Sequence, residues 1–250
     1  MKINQYYQSA RYSKDSVKWR KETYFPMRTN WLIEQLPKKI SGKVLDAGCG
    51  DGGMLEVIKK THPLVKVYGV DISKKGVSIA GKRGVKAKVA DLNKKIPHKK
   101  NFFDFVIAHE VIEHLVDPDK FLEESARVLK KGGYLVITTP NLAAWYHRIL
   151  FLFGYYPLFL EMSTKTRRVG IGLLKYVIKN DQPVGHIRIF TLPALIDLIN
   201  LNGFQTVRTR ASSIPFNFPR VLRIFYDTAD YLFSRRPTLG SNLLVVAKKK

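Results

Sequence analysis

A chain of 250 residues, 45% apolar and 12% aromatic, has material for a sizeable core, which excludes a disordered or fibrous protein. Lysine and arginine number 43 against 20 acids, a net charge of +23, which favours an anionic partner: RNA, an acidic membrane or a phosphorylated substrate. A lone cysteine, Cys49, excludes an internal disulfide framework, and no apolar run reaches the ~20 residues of a membrane span. The start, Met1 to Tyr7, has no apolar signal core. These features predict a cytoplasmic protein, with peripheral contact at the inner membrane face.

The chain reads as a single domain over 1–250, in four stretches. Residues 1–42 form an N-terminal helical cover. They interleave aromatic and basic residues (Tyr6, Tyr7, Arg11, Tyr12, Trp19, Arg20), then carry a helical stripe of Trp31, Leu32, Leu36 and Ile40. Two helices are predicted there. Residues 43–140 alternate strand and helix. Strands are predicted at Val44-Leu45, Val65–Asp71, Lys86–Asp91, Phe103–Ala108 and Tyr134–Thr138. Ser73 suits a helix cap. Asp117-Pro118 opens a helix predicted to run through Lys131 and stop at Gly132-Gly133. This rhythm predicts a doubly wound, mainly parallel α/β sheet. Residues 141–190 break it with an aromatic and basic stretch, read as a lid. Residues 191–250 resume with Thr191 as a cap, a helix through Ile199, and strands at Gln205–Thr209 and Asn242–Ala247.

The sheet's chemistry centres on Gly48-Cys49-Gly50-Asp51-Gly52-Gly53, a glycine turn between a strand and a helix. Three acids, Asp46, Asp71 and Asp91, end three successive predicted strands, where open parallel sheets bind ligands. Asp71 follows the glycine turn by about 20 residues, a spacing that suits a carboxylate on ribose hydroxyls. Asp46 precedes the first glycine, and an acid there repels a pyrophosphate and suits a cation.

Val44-Leu45-Asp46-Ala47-Gly48-Cys49-Gly50-Asp51-Gly52 resembles the first motif of class I S-adenosylmethionine-dependent methyltransferases. Gly69–Ser73, Phe103–Leu115 and Arg127–Leu135 resemble their later motifs, in the same order. Arg236–Ala247 resembles the end of type 11 methyltransferases, which act on small metabolites, sugars or lipids. The resemblance implies a seven-stranded sheet of order 3-2-1-4-5-7-6 with the last strand antiparallel. It implies S-adenosyl-L-methionine as cofactor, with Asp46, Gly48, Cys49, Gly50 and His109 around the methionyl part. It places Asp71 with Ile72 at the ribose and Asp91 with Leu92 at the adenine.

Catalytic candidates are His186, His114 and His109. Glu110, Glu113 and His114 are spaced to share one face of a helical turn. A similar segment is linked to a metal in ubiquinone-type O-methyltransferases, but a structural role suffices and no metal is assigned. His186, in Gly185–Thr191, serves as base or orienter of the acceptor. Trp145–Phe159 and the arginine-flanked stretch Val221–Phe233 suit an amphipathic or lipid-linked acceptor, or an anionic membrane surface. The expected reaction is methyl transfer to a small or lipid-linked acceptor, at oxygen. The rivals are RNA methylation, favoured by the charge, and a cofactor-binding interaction protein without catalysis. Against RNA, the position after the fourth strand reads His109-Glu110-Val111-Ile112 rather than Asn/Asp-Pro-Pro-Tyr.

Overall fold

Strand β1, Gly42–Ala47, is buried from Val44 onward. Both of its faces must be covered, as for a central strand of a parallel sheet. The computed structural model describes residues 25–36, 40–176, 182–214, 218 and 220–250. In it β1 pairs in parallel with β2 (Val65–Asp71). β2 carries the short edge strand β3 (Lys86–Val89). On its other side β1 pairs with β4 (Phe103–His109), and β4 with β5 (Leu129–Pro140), again in parallel. The last two strands are β6 (Phe204–Ser212) and β7 (Asn242–Lys249); β7 inserts antiparallel between β5 and β6. The order is β3-β2-β1-β4-β5-β7-β6, as expected.

The α-helices among the described residues are α1 (Phe25–Gln35), α2 (Gly53–Thr61), α3 (Lys74–Lys82), α4 (Pro118–Val128), α5 (Trp145–Leu152), α6 (Leu192–Leu201) and α7 (Arg220–Phe233). Successive strand side chains alternate, so Val44 and Leu45 enter different cores. Val44 packs with Leu32 of α1, Leu55 and Ile58 of α2 and Ala80 of α3. Leu45 packs with Phe121 and Leu122 of α4 and Leu195 and Ile199 of α6. A third cluster under α5 and α7 joins Ala144, Tyr146, Leu158, Phe159, Ile214 and Tyr226. Side-chain caps start three helices: Ser73 accepts from Gly76 N, Asp117 from Lys120 N and Thr191 from Ala194 N.

Four expectations need correction or fall outside the description. Helix α4 ends at Val128, not at Lys131. Its last carbonyls are taken by the chain entering β4: Asn101 N donates to Arg127 O and Phe102 N to Val128 O. Leu129 is then extended and pairs with Phe103, and Gly132, at φ +74°, lies within the irregular start of β5. Strand β3 stops at Val89, because Asp91 turns the chain by accepting from Asn93 N and Nδ2. Glu110, Glu113 and His114 do not share a helical face. Ile112–His114 is a single 3-10 turn, and Glu110 stands before it at φ +56°. Of the two helices expected in 1–42, α1 is present; residues 1–24 lie outside the described residues.

Candidate active site

Strands β1, β2, β4 and β5 run the same way, so the loops after them gather at one edge of the sheet. After Ala47 the chain turns through Gly48, Gly50 and Gly52, with φ of +93°, +53° and +77°. Close approach also demands glycine. A Cβ on Gly48 would collide with the Val111 side chain, and one on Gly52 would sit 3.1 Å from Ala80 Cα of α3. Val70 O accepts from Gly48 N (2.7 Å) and Cys49 N (3.1 Å), tying the loop to β2.

Asp71, at the end of β2, organises this loop. Its Oδ2 accepts from Gly50 N at 2.8 Å and its Oδ1 from Ser73 N at 2.8 Å. One carboxylate thus joins the glycine turn to the start of α3. Ile72 follows it, half-buried. Asp91 holds its own turn, and Leu92 is buried in the Leu45 core. Asn93 Oδ1 accepts from Val116 N and Asp117 N, which links this turn to the loop after β4. Cys49 is buried, and its thiol is pushed up by burial and by Asp46, so it is unreactive.

Asp46 is 3% exposed. Burial raises its pKa well above the ordinary carboxylate value, and the nearby Asp71 and Asp51 raise it further. This concentration of carboxylates fits a cationic ligand such as the sulfonium and ammonium of S-adenosylmethionine. The raised pKa is also a stability statement. The folded chain binds the Asp46 proton more tightly than the unfolded chain. Stability is therefore fully present below the unfolded carboxylate pKa and is lost as pH rises through the folded value. In Asp46→Asn this loss is expected to disappear; it amounts to about 1.4 kcal/mol for each pH unit by which the folded value exceeds the unfolded one. Thermal melts across a pH series check it; parallel curves for the two proteins would contradict it.

The second half of the site lies beyond β4 and β5. His109 Nδ1 is 2.6 Å from Thr138 Oγ1, which donates to Glu110 Oε1 at 3.0 Å. Asn242 Nδ2 donates to the same Glu110 oxygen at 3.0 Å. Glu113 is fully buried and accepts from Thr139 Oγ1 at 3.0 Å. His114 Nδ1 faces Gly185 O at 3.0 Å, and His186 Nδ1 faces Phe159 O at 2.8 Å. The two rings are 4.9 Å apart. A carbonyl only accepts, so each Nδ1 carries a proton; His114 Nε2 lies 4.0 Å from Glu113 Oε1. Burial lowers the His186 pKa, as does Arg167; Phe159 O, Glu161 and Glu110 act in the opposite sense. His186 is thus a neutral imidazole at neutral pH. Val111, which packs on Gly48, joins this half of the site to the glycine loop.

The fold therefore gathers Asp46, Gly48, Cys49, Gly50 and Asp71 around one turn, and His109, His114 and His186 beyond the neighbouring strands. Ligand atoms of Glu113, His114 and His186 all lie within 4.8 Å of one another, a spacing that also suits a cation. The remaining histidines of note play other parts. His147 is buried, with Nδ1 on Asn141 O and Nε2 accepting from Leu158 N, and it braces the lid. His98 packs with Tyr68, Phe102 and Phe103 by the start of β4.

Sequence reasoning missed Glu161. Its carboxylate accepts from Val184 N, Gly185 N and His186 N, so it fixes the segment that carries His186. The available signal was an isolated acid in the basic 141–190 stretch. Thr138 and Asn242 were also missed as partners of Glu110, because nothing local marks them.

A methyltransferase domain family model matches residues 20–209. The chain is 35% identical over 129 residues to an uncharacterised protein of Methanocaldococcus jannaschii, covering 51% of this chain and 58% of that one. It is 36% identical over 108 residues to a ubiquinone biosynthesis O-methyltransferase of Pelagibacter ubique, covering 40% and 42%. The chain spans about half the length of the curated relatives it matches. In overall shape it is similar to an S-adenosylmethionine-dependent methyltransferase structure from Thermotoga maritima, at TM-score 0.63 and 20% identity, covering 96% of this chain and 97% of that one. With the family model covering most of its length and the sheet in this order, the chain belongs to the class I S-adenosylmethionine-dependent methyltransferases.

Proposed function

We propose that the protein transfers a methyl group from S-adenosyl-L-methionine to a hydroxyl oxygen of a small-molecule or lipid-linked acceptor. The observation that carries this reading is the half-buried, neutral His186 beside His114, whose segment is joined through Val111 to the glycine loop. In the proposed site the Gly48–Gly50 turn, Asp71 and Asp91 hold the donor, and Asp46 offsets its positive charge. The donor supplies an already activated methyl group. What the chain must add is alignment and a place for the hydroxyl proton. His186 Nε2 accepts that proton as the acceptor oxygen bonds to the methyl carbon and the carbon–sulfur bond breaks. The ring stays in register because Phe159 O holds Nδ1 and Glu161 holds the backbone around it. The ubiquinone biosynthesis relatives, O-methyltransferases by name, support oxygen as the target.

The test is a transfer assay with methyl-labelled donor against lipid, small-molecule, RNA and protein fractions of the source cell. Label is expected in the lipid or small-molecule fraction, in a form stable as an ether. Label confined to RNA, in a reaction suppressed steeply by salt, would overturn the reading.

A further inference from the structure

Most of the exposed large apolar side chains among the described residues lie in two stretches, 149–176 and 222–233. We propose that helices α5 and α7 form a docking surface for an anionic lipid bilayer, on which the protein lies without crossing. The surface exists whatever acceptor is methylated.

The two helices are locked together, which fixes the face they turn outward. Asp230 is fully buried; its Oδ1 accepts from Trp145 Nε1 (2.9 Å) and Ser241 Oγ (2.6 Å), and its Oδ2 from Ile214 N (3.0 Å). Tyr226 OH donates to Ile214 O at 2.9 Å. Phe233 stacks on Trp145, with ring centroids 5.3 Å apart. The inward side of α7 is therefore Tyr226 and Asp230, with Phe233, 41% exposed, at the edge of that face against Trp145. Beside it, at i, i+3 and i+10, stand Leu222, Phe225 and Leu232, which are 55%, 71% and 53% exposed. On α5 the stripe that begins at Trp145 continues outward to Ile149 and Leu152, the latter 81% exposed. An apolar ridge of this kind, held rigidly in water, marks an interaction surface.

Charge selects the occupant. Arg148, Arg220, Arg223, Arg235 and Arg236 lie on or just after these two helices, Arg223 paired with Asp227, in a chain of net charge +23. A second copy would bring a second +23 into the contact, and the two would repel. RNA would satisfy the arginines but would leave Leu152, Leu222 and Leu232 in water. A bilayer with anionic headgroups satisfies both, because arginines reach phosphate while the apolar ridge enters the acyl boundary. No helix among the described residues is long and apolar enough to span a membrane, which agrees with a surface mode. The third core leads inward from this surface: Phe159 belongs to it and lies 6.4 Å from the His186 ring.

The test is sedimentation of the full chain with vesicles of phosphatidylglycerol and phosphatidylcholine, and with phosphatidylcholine alone. Binding to the anionic vesicles is expected, at least about tenfold stronger than to the neutral ones. Leu152→Asp with Phe225→Asp, at exposed positions, is expected to lower it about tenfold or more, with melting temperature and donor affinity retained. Arg235→Ser with Arg236→Ser should weaken binding and make what remains less salt-dependent. The proposal falls if the protein stays in the supernatant at low salt, if the aspartate pair binds as wild type does, or if that pair instead dissolves a dimer or an RNA complex. Methyl transfer to a soluble acceptor reads the active site separately, so failure at the membrane and failure of the proposed reaction are told apart.

Discussion

Asp71→Ala is expected to weaken S-adenosylmethionine binding by about a hundredfold or more. The side chain has two tasks in the same place. It accepts from Gly50 N and Ser73 N, and so sets the glycine turn against α3. In the proposed site it also accepts the ribose hydroxyls. Hydrogen bonds to a charged acceptor contribute about 1.5–3 kcal/mol each, so losing two of them costs about 3 kcal/mol or more. At about 1.4 kcal/mol per tenfold, that is about two decades of affinity. Titration calorimetry with the donor checks it. Asp71→Asn keeps an acceptor oxygen and should fall between alanine and wild type. Unchanged affinity in Asp71→Ala would remove the residue from the donor site.

His186→Ala should lower turnover about a hundredfold or more, the usual contribution of a positioned base, while donor affinity stays within about twofold. The pH profile carries the sharper signature. Burial lowers the His186 pKa, so its base form persists below the ordinary histidine range. Wild-type turnover is therefore expected to hold through neutral pH and fall only as acid protonates the ring. The alanine variant should lose that acid limb. His186→Asn offers an amide to Phe159 O, which should restore packing without restoring turnover. A role limited to packing would show the reverse: asparagine rescues turnover, and the pH profile keeps its shape.

The glycine turn and the acids around it were legible in the chain because their determinants are local. Positive φ and close approach select glycine at 48 and 52, and the end of β2 places Asp71, while Asp91 lies in the turn after β3. The acceptor half was legible only as residue types. His114 and His186 are 72 positions apart, yet their rings stand 4.9 Å from one another. Glu161, which fixes the His186 segment, carries no periodic or motif signal at all. Helical spacing also misled at Glu110–His114, where a positive-φ residue and a 3-10 turn replace the helix.

The boundary of α4 teaches the same point from another side. Lys130 and Lys131 before Gly132-Gly133 read as a helix end, and helix propensity allows that. Backbone donors from Asn101 and Phe102 close the helix earlier, and Leu129 joins β4. A long-range pairing outweighed a local stop signal.

By itself, then, the amino-acid sequence determined the alternation of strands and helices and the glycine turn between β1 and α2, since periodicity and turn chemistry act over a few residues; the strand order came from the family resemblance, and the fold bears it out. Tertiary structure alone decided that Asp71 ties that turn to the start of α3, that the His114 and His186 rings meet beyond β4 and β5, and that Asp230 locks α5 to α7 with an apolar ridge outward. Those outcomes depend on groups tens of residues apart, whose burial and hydrogen bonds exist only once the sheet has brought them together.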